Sequence, residues 1–292
     1  DKKIEITMRS VLKSGVKFTY DIESKTWIGD QSHDELLLVD GVQFKSEIID
    51  VPTRDGTIVP MRITYKASLQ KDGRNPVYFR VYGGFDVEGY LNSSLTSSVL
   101  VMKFLKDGGI FAAPALRGGN EFGKYWHESA MLSKKKNTMY DLIDCANWLV
   151  ANNWTQSKKI IATGTSNGGL TVASAGLLSP ESFGLIIPVA GVHDLLKKEI
   201  WDAAFDTGWS SEYGDSRQEN ARLWLDAISP VSLAAKTEGK TIPNFLVITG
   251  KNDTRVNPKH SYELSRLLME KNGSENVHLF SPNNAGHGLQ YM

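Results

Sequence analysis

Hydrophobic and polar positions change rhythm along this chain. Up to about residue 65 they alternate, as in half-buried strands. Val16-Lys17-Phe18-Thr19-Tyr20, a turn at Asp21-Ile22-Glu23-Ser24-Lys25, and Thr26-Trp27-Ile28 predict a β-hairpin. Ile48-Ile49-Asp50-Val51, a turn at Arg54-Asp55-Gly56-Thr57, and the run from Ile58 to Tyr65 predict another. After about residue 75, short apolar runs bounded by Gly, Pro or Asn take over: Val77–Tyr82, Ile110–Leu116, Lys159–Thr163, Leu185–Ala190, Asn244–Thr249 and Val277–Ser281. Runs of this kind suit strands buried on both faces. Between them the apolar period becomes helical. Leu142, Ile143, Ala146, Leu149 and Val150 share one face of a helix predicted over Thr138–Asn152, with Thr138 as its N-cap. Other helices are predicted over Gly169–Leu178, closed by Pro180, and over Pro258–Asn272, between a first-turn proline and a terminal Asn-Gly. Strands alternating with helices predict an α/β fold, a mostly parallel doubly wound sheet with helices on both faces. Such sheets bind ligands at the carboxyl ends of their strands, so the following loops are where chemistry is expected.

Composition narrows the function without naming it. Lys and Arg number 33 and so do Asp and Glu, giving no net charge and no basic footprint for nucleic acid. Apolar residues are 41% and charged ones 23%, ordinary for a globular chain and unlike a disordered or fibrous one. Cys145 is the only cysteine, so there is no disulfide framework and no cysteine-based zinc site; no other cluster has metal-ligand spacing, and no metal is expected. No run approaches the roughly 20 apolar residues of a membrane span. A cytoplasmic chain is favoured, and a periplasmic one without disulfides fits as well. The start has neither an initiator Met nor a signal-peptide core, so a chain processed or cut from something longer is expected.

The sharpest local motif is Gly164-Thr165-Ser166-Asn167-Gly168-Gly169, between a predicted strand and an apolar helix. That is the setting of a G-x-S-x-G nucleophile elbow. A turn this tight needs glycine at Gly164 and Gly168, and the helix start offers free N–H groups to an oxyanion beside Ser166. A serine hydroxyl needs a base. Of six histidines, His33 lies in a polar loop, His127 follows an aromatic pair, His193 follows a strand, His260 opens a helix and His278 lies within a strand. His287, flanked by Gly286 and Gly288 just past the last strand, is the candidate base. Asp253, in the loop after the strand Asn244–Thr249, is the candidate orienting carboxylate, with Asp194 and Asp215 as weaker rivals. Ser, Asp, His is the chain order of α/β-hydrolases. Lys134-Lys135-Lys136 reads as a solvated loop and Arg117-Gly118-Gly119 as a turn after a strand.

Several motifs together resemble the prolyl oligopeptidase family of serine peptidases: Tyr82-Gly83-Gly84-Phe85, Leu116-Arg117-Gly118-Gly119, Trp126-His127, the Ser166 elbow followed by Asn167, Asp253-Thr254-Arg255-Val256 and Gly286-His287-Gly288. The likeness runs in register from about residue 45 to the end. It implies an α/β-hydrolase fold with Ser166, Asp253 and His287 as the catalytic triad. It implies an oxyanion hole from the Tyr82 hydroxyl and the Asn167 N–H, and an Arg255 that binds a substrate carbonyl. It also implies a proline slot in which Trp209 stacks on the ring and Phe85, Val192, Tyr213 and Val256 complete the wall. No carboxylate falls at those slot positions, which argues against a preference for Lys or Arg. The expected activity is cleavage of short peptides after proline through an acyl-enzyme, without a cofactor. A dipeptidyl or acylaminoacyl peptidase, an esterase, and a hydrolase-like interaction domain without turnover are the alternatives. The family places a seven-bladed β-propeller ahead of its hydrolase domain. Residues 1–45 therefore read as the end of a propeller's last blade and residues 46–292 as the hydrolase domain, apparently lacking its closing C-terminal helix.

Overall fold

The computed structural model describes residues 2–28, 38–95, 98–202 and 208–289. Its strands are β1 (Lys3–Ser10), β2 (Lys13–Asp21), β3 (Thr26–Ile28), β4 (Leu38–Val39), β5 (Val42–Pro52), β6 (Ile58–Lys66), β7 (Val77–Arg80), β8 (Ile110–Pro114), β9 (Ile160–Thr165), β10 (Leu185–Val189), β11 (Asn244–Ile248) and β12 (Val277–Phe280). The helices are α1 (Val99–Lys106), α2 (Lys124–Glu128), α3 (Lys136–Ala151), α4 (Asn167–Leu178), α5 (Lys198–Trp201), α6 (Trp209–Tyr213), α7 (Glu219–Ile228), α8 (Pro230–Ala234) and α9 (Lys259–Asn272).

Among the described residues nine strands form one sheet in the order β12-β11-β10-β9-β7-β8-β6-β5-β4. From β12 to β8 every pairing is parallel; β6, β5 and β4 continue it antiparallel. The alternating early sequence thus supplies the antiparallel edge and the short apolar runs supply the parallel centre. The chain leaves β7 for β8 on one side and returns to β9 on the other. That reversal opens a crevice beyond the carboxyl ends of β7 and β9, the place where α/β sheets take ligands.

α4 is apolar nearly all round, and residues 167–176 are all buried, as for a helix wedged under a sheet rather than laid on its surface. Its neighbours include α3, α8, β9 and β10. α3 starts at Lys136, two residues before the expected N-cap, because the Thr138 hydroxyl is spent on the Arg117 carbonyl at 2.8 Å. Arg117 is more than part of a turn. Its guanidinium, 6% exposed, donates to Asp141 on α3 at 2.6 Å and to Asp55 in the β5–β6 turn at 2.6 Å. The bonds lock the loop after β8 against two other elements.

β1, β2 and β3 form a separate antiparallel sheet. Its β1–β2 turn enters the body, where Val11 and Leu12 pack with Phe44, Leu105 and Phe111. Trp27 lies against Phe18 and Tyr20 yet stays 48% exposed. β5 begins at Val42 and belongs wholly to the nine-stranded sheet. No helix among the described residues is long and apolar enough to cross a membrane.

Candidate active site

Ser166 stands between β9 and α4 with φ 59° and ψ −118°. A positive φ on a residue with a Cβ costs on the order of 1–3 kcal/mol and is kept only where its surroundings enforce it. The enforcement comes from close backbone approach. A Cβ on Gly164 would lie 2.4 Å from the Gly168 carbonyl oxygen, and one on Gly168 would lie 2.4 Å from the Val81 carbonyl oxygen. The turn is therefore as tight as the motif requires, and it lifts Ser166 into the crevice beside the loop that follows β7.

That loop carries Tyr82. Its carbonyl accepts from Asn167 Nδ2 at 2.8 Å and from Thr171 Oγ1 at 3.1 Å, so α4 holds it directly. Asn167 Oδ1 accepts from the Tyr213 hydroxyl at 3.0 Å. The Asn167 side chain is thereby spent on bracing. Its backbone N–H, in the first turn, is a donor that no helical carbonyl reaches. Burial pushes the Tyr82 phenol above its ordinary pKa, against the opposing pull of Arg255, so at neutral pH it keeps a hydrogen to donate.

Asp253 and His287 meet although they follow different strands. Backbone bonds zip the two loops together: Lys251 N–H to the Pro282 carbonyl at 3.1 Å and Asn252 N–H to the Ala285 carbonyl at 3.0 Å. His287 Nδ1 and Asp253 Oδ2 are 2.7 Å apart. Asp253 Oδ1 accepts from the backbone N–H groups of Arg255 and Val256 at 2.9 and 3.0 Å. The carboxylate is thus fixed by its own turn rather than by the Arg255 guanidinium. With Nδ1–H donated to the carboxylate, Nε2 is left as an acceptor, the tautomer a general base needs. Among the described residues no hydrogen bond joins Ser166 Oγ to the imidazole. Such bonds are often long in free enzymes and tighten on substrate.

Beside Ser166 lies a cavity of about 110 Å³ lined by Tyr82, Phe85, Val87, Val192, Trp209, Tyr213 and Arg255. Trp209 and Tyr213 stand one helical turn apart on α6, their rings edge to face with centroids 6.3 Å apart. Phe85 meets Tyr213 edge to face at 5.3 Å. Seven of the site residues expected from the sequence, Ser166, Tyr82, Phe85, Val192, Trp209, Tyr213 and Arg255, therefore share one cavity. Val256 does not line it and packs into the core, 1% exposed. Val87, which does line it, sits in the polar stretch Asp86-Val87-Glu88, where an isolated apolar residue carries no sequence signal.

The rival carboxylates are occupied elsewhere. Asp194 pairs with Lys197 at 3.5 Å and Asp215 with Arg217 at 2.7 Å. His127 and His260 bond other acids, both nitrogens of His193 are buried without partners, and His33 lies outside the described residues.

The strand order and the elbow after β9 define an α/β-hydrolase fold, with Ser166 as its candidate nucleophile and the Asp–His couple beyond β11 and β12 as the candidate base and its carboxylate. Sequence comparison takes the class one step further. The prolyl oligopeptidase family's profile matches residues 96–292, and the chain belongs to that family. It is 34% identical over 247 residues to a prolyl endopeptidase of Elizabethkingia meningoseptica, covering 84% of this chain and 34% of that protein. A prolyl endopeptidase of Dictyostelium discoideum is 31% identical over 264 residues, covering 86% and 34%. A solved structure from a structural and mechanistic analysis of two prolyl endopeptidases superposes with a TM-score of 0.85 at 27% identity, covering 98% of this chain and 41% of its own. The chain thus spans about a third of the length of the curated relatives it matches.

Proposed function

We propose that this chain is the catalytic domain of a serine endopeptidase that hydrolyses short peptides on the C-terminal side of proline. The observation that carries the reading is the single cavity in which an elbow serine, a phenol donor and the aromatic walls of Trp209, Tyr213 and Phe85 converge. A flat indole against a flat pyrrolidine buries much area at little entropic cost.

In this mechanism Ser166 Oγ attacks the carbonyl carbon of the proline residue as His287 Nε2 takes its proton. Asp253 holds the ring orientation and stabilises the imidazolium. The negative charge on the carbonyl oxygen is met by the Asn167 N–H and the Tyr82 hydroxyl. Arg255, exposed and without an acidic partner among the described residues, binds the preceding carbonyl of the peptide through its rigid fork of donors. The imidazolium then protonates the leaving amine, and water, activated by the same base, releases the acyl group.

We further propose that β1–β3 close the last blade of a β-propeller. Their exposed Trp27 and Ile28 and their slight anchorage to the hydrolase body support that reading. A coding sequence with repeated four-stranded blades ahead of Asp1 would bear it out.

The test is fluorophosphonate labelling of the folded protein with and without Ser166→Ala, together with cleavage of blocked Pro-X and Ala-X peptides. Labelling lost in the variant, with Pro-X favoured, is the expected result. A folded wild type that takes no label ends the nucleophile assignment. Equal cleavage of both peptides moves the assignment to an acylaminoacyl peptidase or esterase with the same triad.

A further inference from the structure

Three consecutive lysines, Lys134 to Lys136, run into the start of α3, and the middle one is enclosed. Lys134 and Lys136 are exposed, as a solvated loop requires, whereas Lys135 is fully buried. Its ammonium donates to the Gly83 carbonyl at 3.0 Å and to Glu212 Oε1 at 2.6 Å. Glu212 Oε2 lies 2.7 Å from His127 Nε2. Burial works against the Glu212 charge, but Lys135 and the bond from His127 outweigh it and hold the carboxyl below the usual carboxylate range. An ionised carboxylate only accepts, so His127 Nε2 carries the hydrogen.

Stability is a weak reason for such a pair. Desolvation offsets the attraction, and apolar replacements of similar volume are often as stable. Location is the stronger reason. Gly83 lies between Tyr82 and Phe85, and Glu212 lies between Trp209 and Tyr213. All four of those side chains line the cavity beside Ser166. The Lys135 ammonium bonds both segments at once. The two walls come from distant parts of the chain, and edge-to-face contact between Phe85 and Tyr213 is the direct meeting of their rings.

We propose that Lys135 and Glu212 are positioning residues that set the width of the proline slot by tying the Gly83 turn to α6. The proposal rests on the prolyl peptidase reading of this site. Neither residue touches substrate. Both act through the rings whose separation they fix. Loosening the tie costs a rigid five-membered ring its second wall, while a small P1 side chain such as alanine, which never fills the slot, loses little.

The experiment measures kcat and KM for blocked Pro-X and Ala-X peptides, and the fluorophosphonate labelling rate, on the full chain and three variants. Glu212→Gln keeps the shape and removes the charge. Lys135→Met combined with Glu212→Leu removes the pair without stranding a buried charge. Glu212→Asp keeps the charge on a shorter arm. The first two should raise KM for Pro-X about tenfold, the scale on which hydrophobic pockets discriminate, and lower the Pro-to-Ala ratio to match. Labelling of Ser166 should stay near wild type, and Glu212→Asp should recover part of the ratio. A Pro-to-Ala ratio unchanged in the folded variants overturns the tie. So does an equal loss on both peptides and the label, which marks a general packing role. A wild type without preference for proline overturns the functional reading instead, and the tie with it.

Discussion

Asp253–His287 and Asp202–His260 are two carboxylate–imidazole couples, each closed at 2.7 Å. They differ in which nitrogen is used and in what surrounds the other. His287 bonds its acid through Nδ1 and its side chain is 24% exposed. His260 bonds through Nε2, its Nδ1 accepts the Asp194 backbone N–H at 2.9 Å, and both members of the pair are fully buried. One imidazole has an unspent nitrogen and a partly exposed ring; the other has neither. Asp202 also accepts the Asn257 N–H at 2.7 Å, so the buried couple ties the end of α5 to the loop that carries Asp253 and Arg255. An acid–base pair is thus not a catalytic signal by itself. The free nitrogen, and access to it, makes the difference.

Substitutions in each couple, and at Ser166, should separate them most widely. Ser166→Ala or His287→Ala should lower kcat by roughly 10⁶, and Asp253→Asn by about 10⁴ through the wrong tautomer, with thermal unfolding close to wild type. Asp202→Asn should do the reverse. Breaking a buried pair costs roughly 3–5 kcal/mol, so its unfolding midpoint should fall sharply while the folded fraction still takes a fluorophosphonate on Ser166. Normal stability in Asp202→Asn, or full turnover in His287→Ala, would erase the contrast.

A smaller effect tests the oxyanion side. Tyr82→Phe removes one donor and leaves the Asn167 N–H. It should lower kcat by about 10²–10³ with little change in KM, because the bond is made in the transition state. Loss confined to KM would instead make Tyr82 a wall of the slot.

How much of this could be read beforehand follows from the range over which each feature is encoded. The parallel strands were legible to within one or two residues because burial on both faces leaves a continuous apolar run punctuated by glycine, proline or asparagine, as in β10 at Leu185–Val189 between Gly184 and Gly191. The elbow and His287 were legible because glycines flank them. α1 was not, because Val99 and Leu100 point outward among the buried Val101, Met102 and Leu105, and the helical period is blurred. Lys135 was hidden for a different reason. A charge run looks solvated unless its partner is known, and Glu212 lies far along the chain. The slot was legible only as a likeness to a family; Trp209 four residues before Tyr213 shows a shared helix face and nothing of what that face meets. Val256 shows the limit of that likeness, since its neighbour Arg255 lines the cavity and it does not.

A third histidine sharpens the comparison from below. His193 follows β10, is fully buried and has no partner at either ring nitrogen, which lowers its pKa from 6.5 to about 3. Burial is the main cause, with His260 adding to it. The folded protein refuses a proton that the unfolded chain accepts. The stability tied to His193 is therefore fully present above pH 6.5 and is lost as pH falls from there toward 3, at about 1.4 kcal/mol per pH unit. His193→Met fills the site without a titrating group. Denaturant unfolding at pH 7 and pH 5 should show the wild type losing about 2 kcal/mol more than the variant. His287 and His260 each hold a carboxylate at 2.7 Å. His193 has no such partner, so acid reads it out as stability rather than as rate. An equal pH dependence in wild type and variant would mean that His193 finds a partner in solution, and its contrast with the two paired histidines would close.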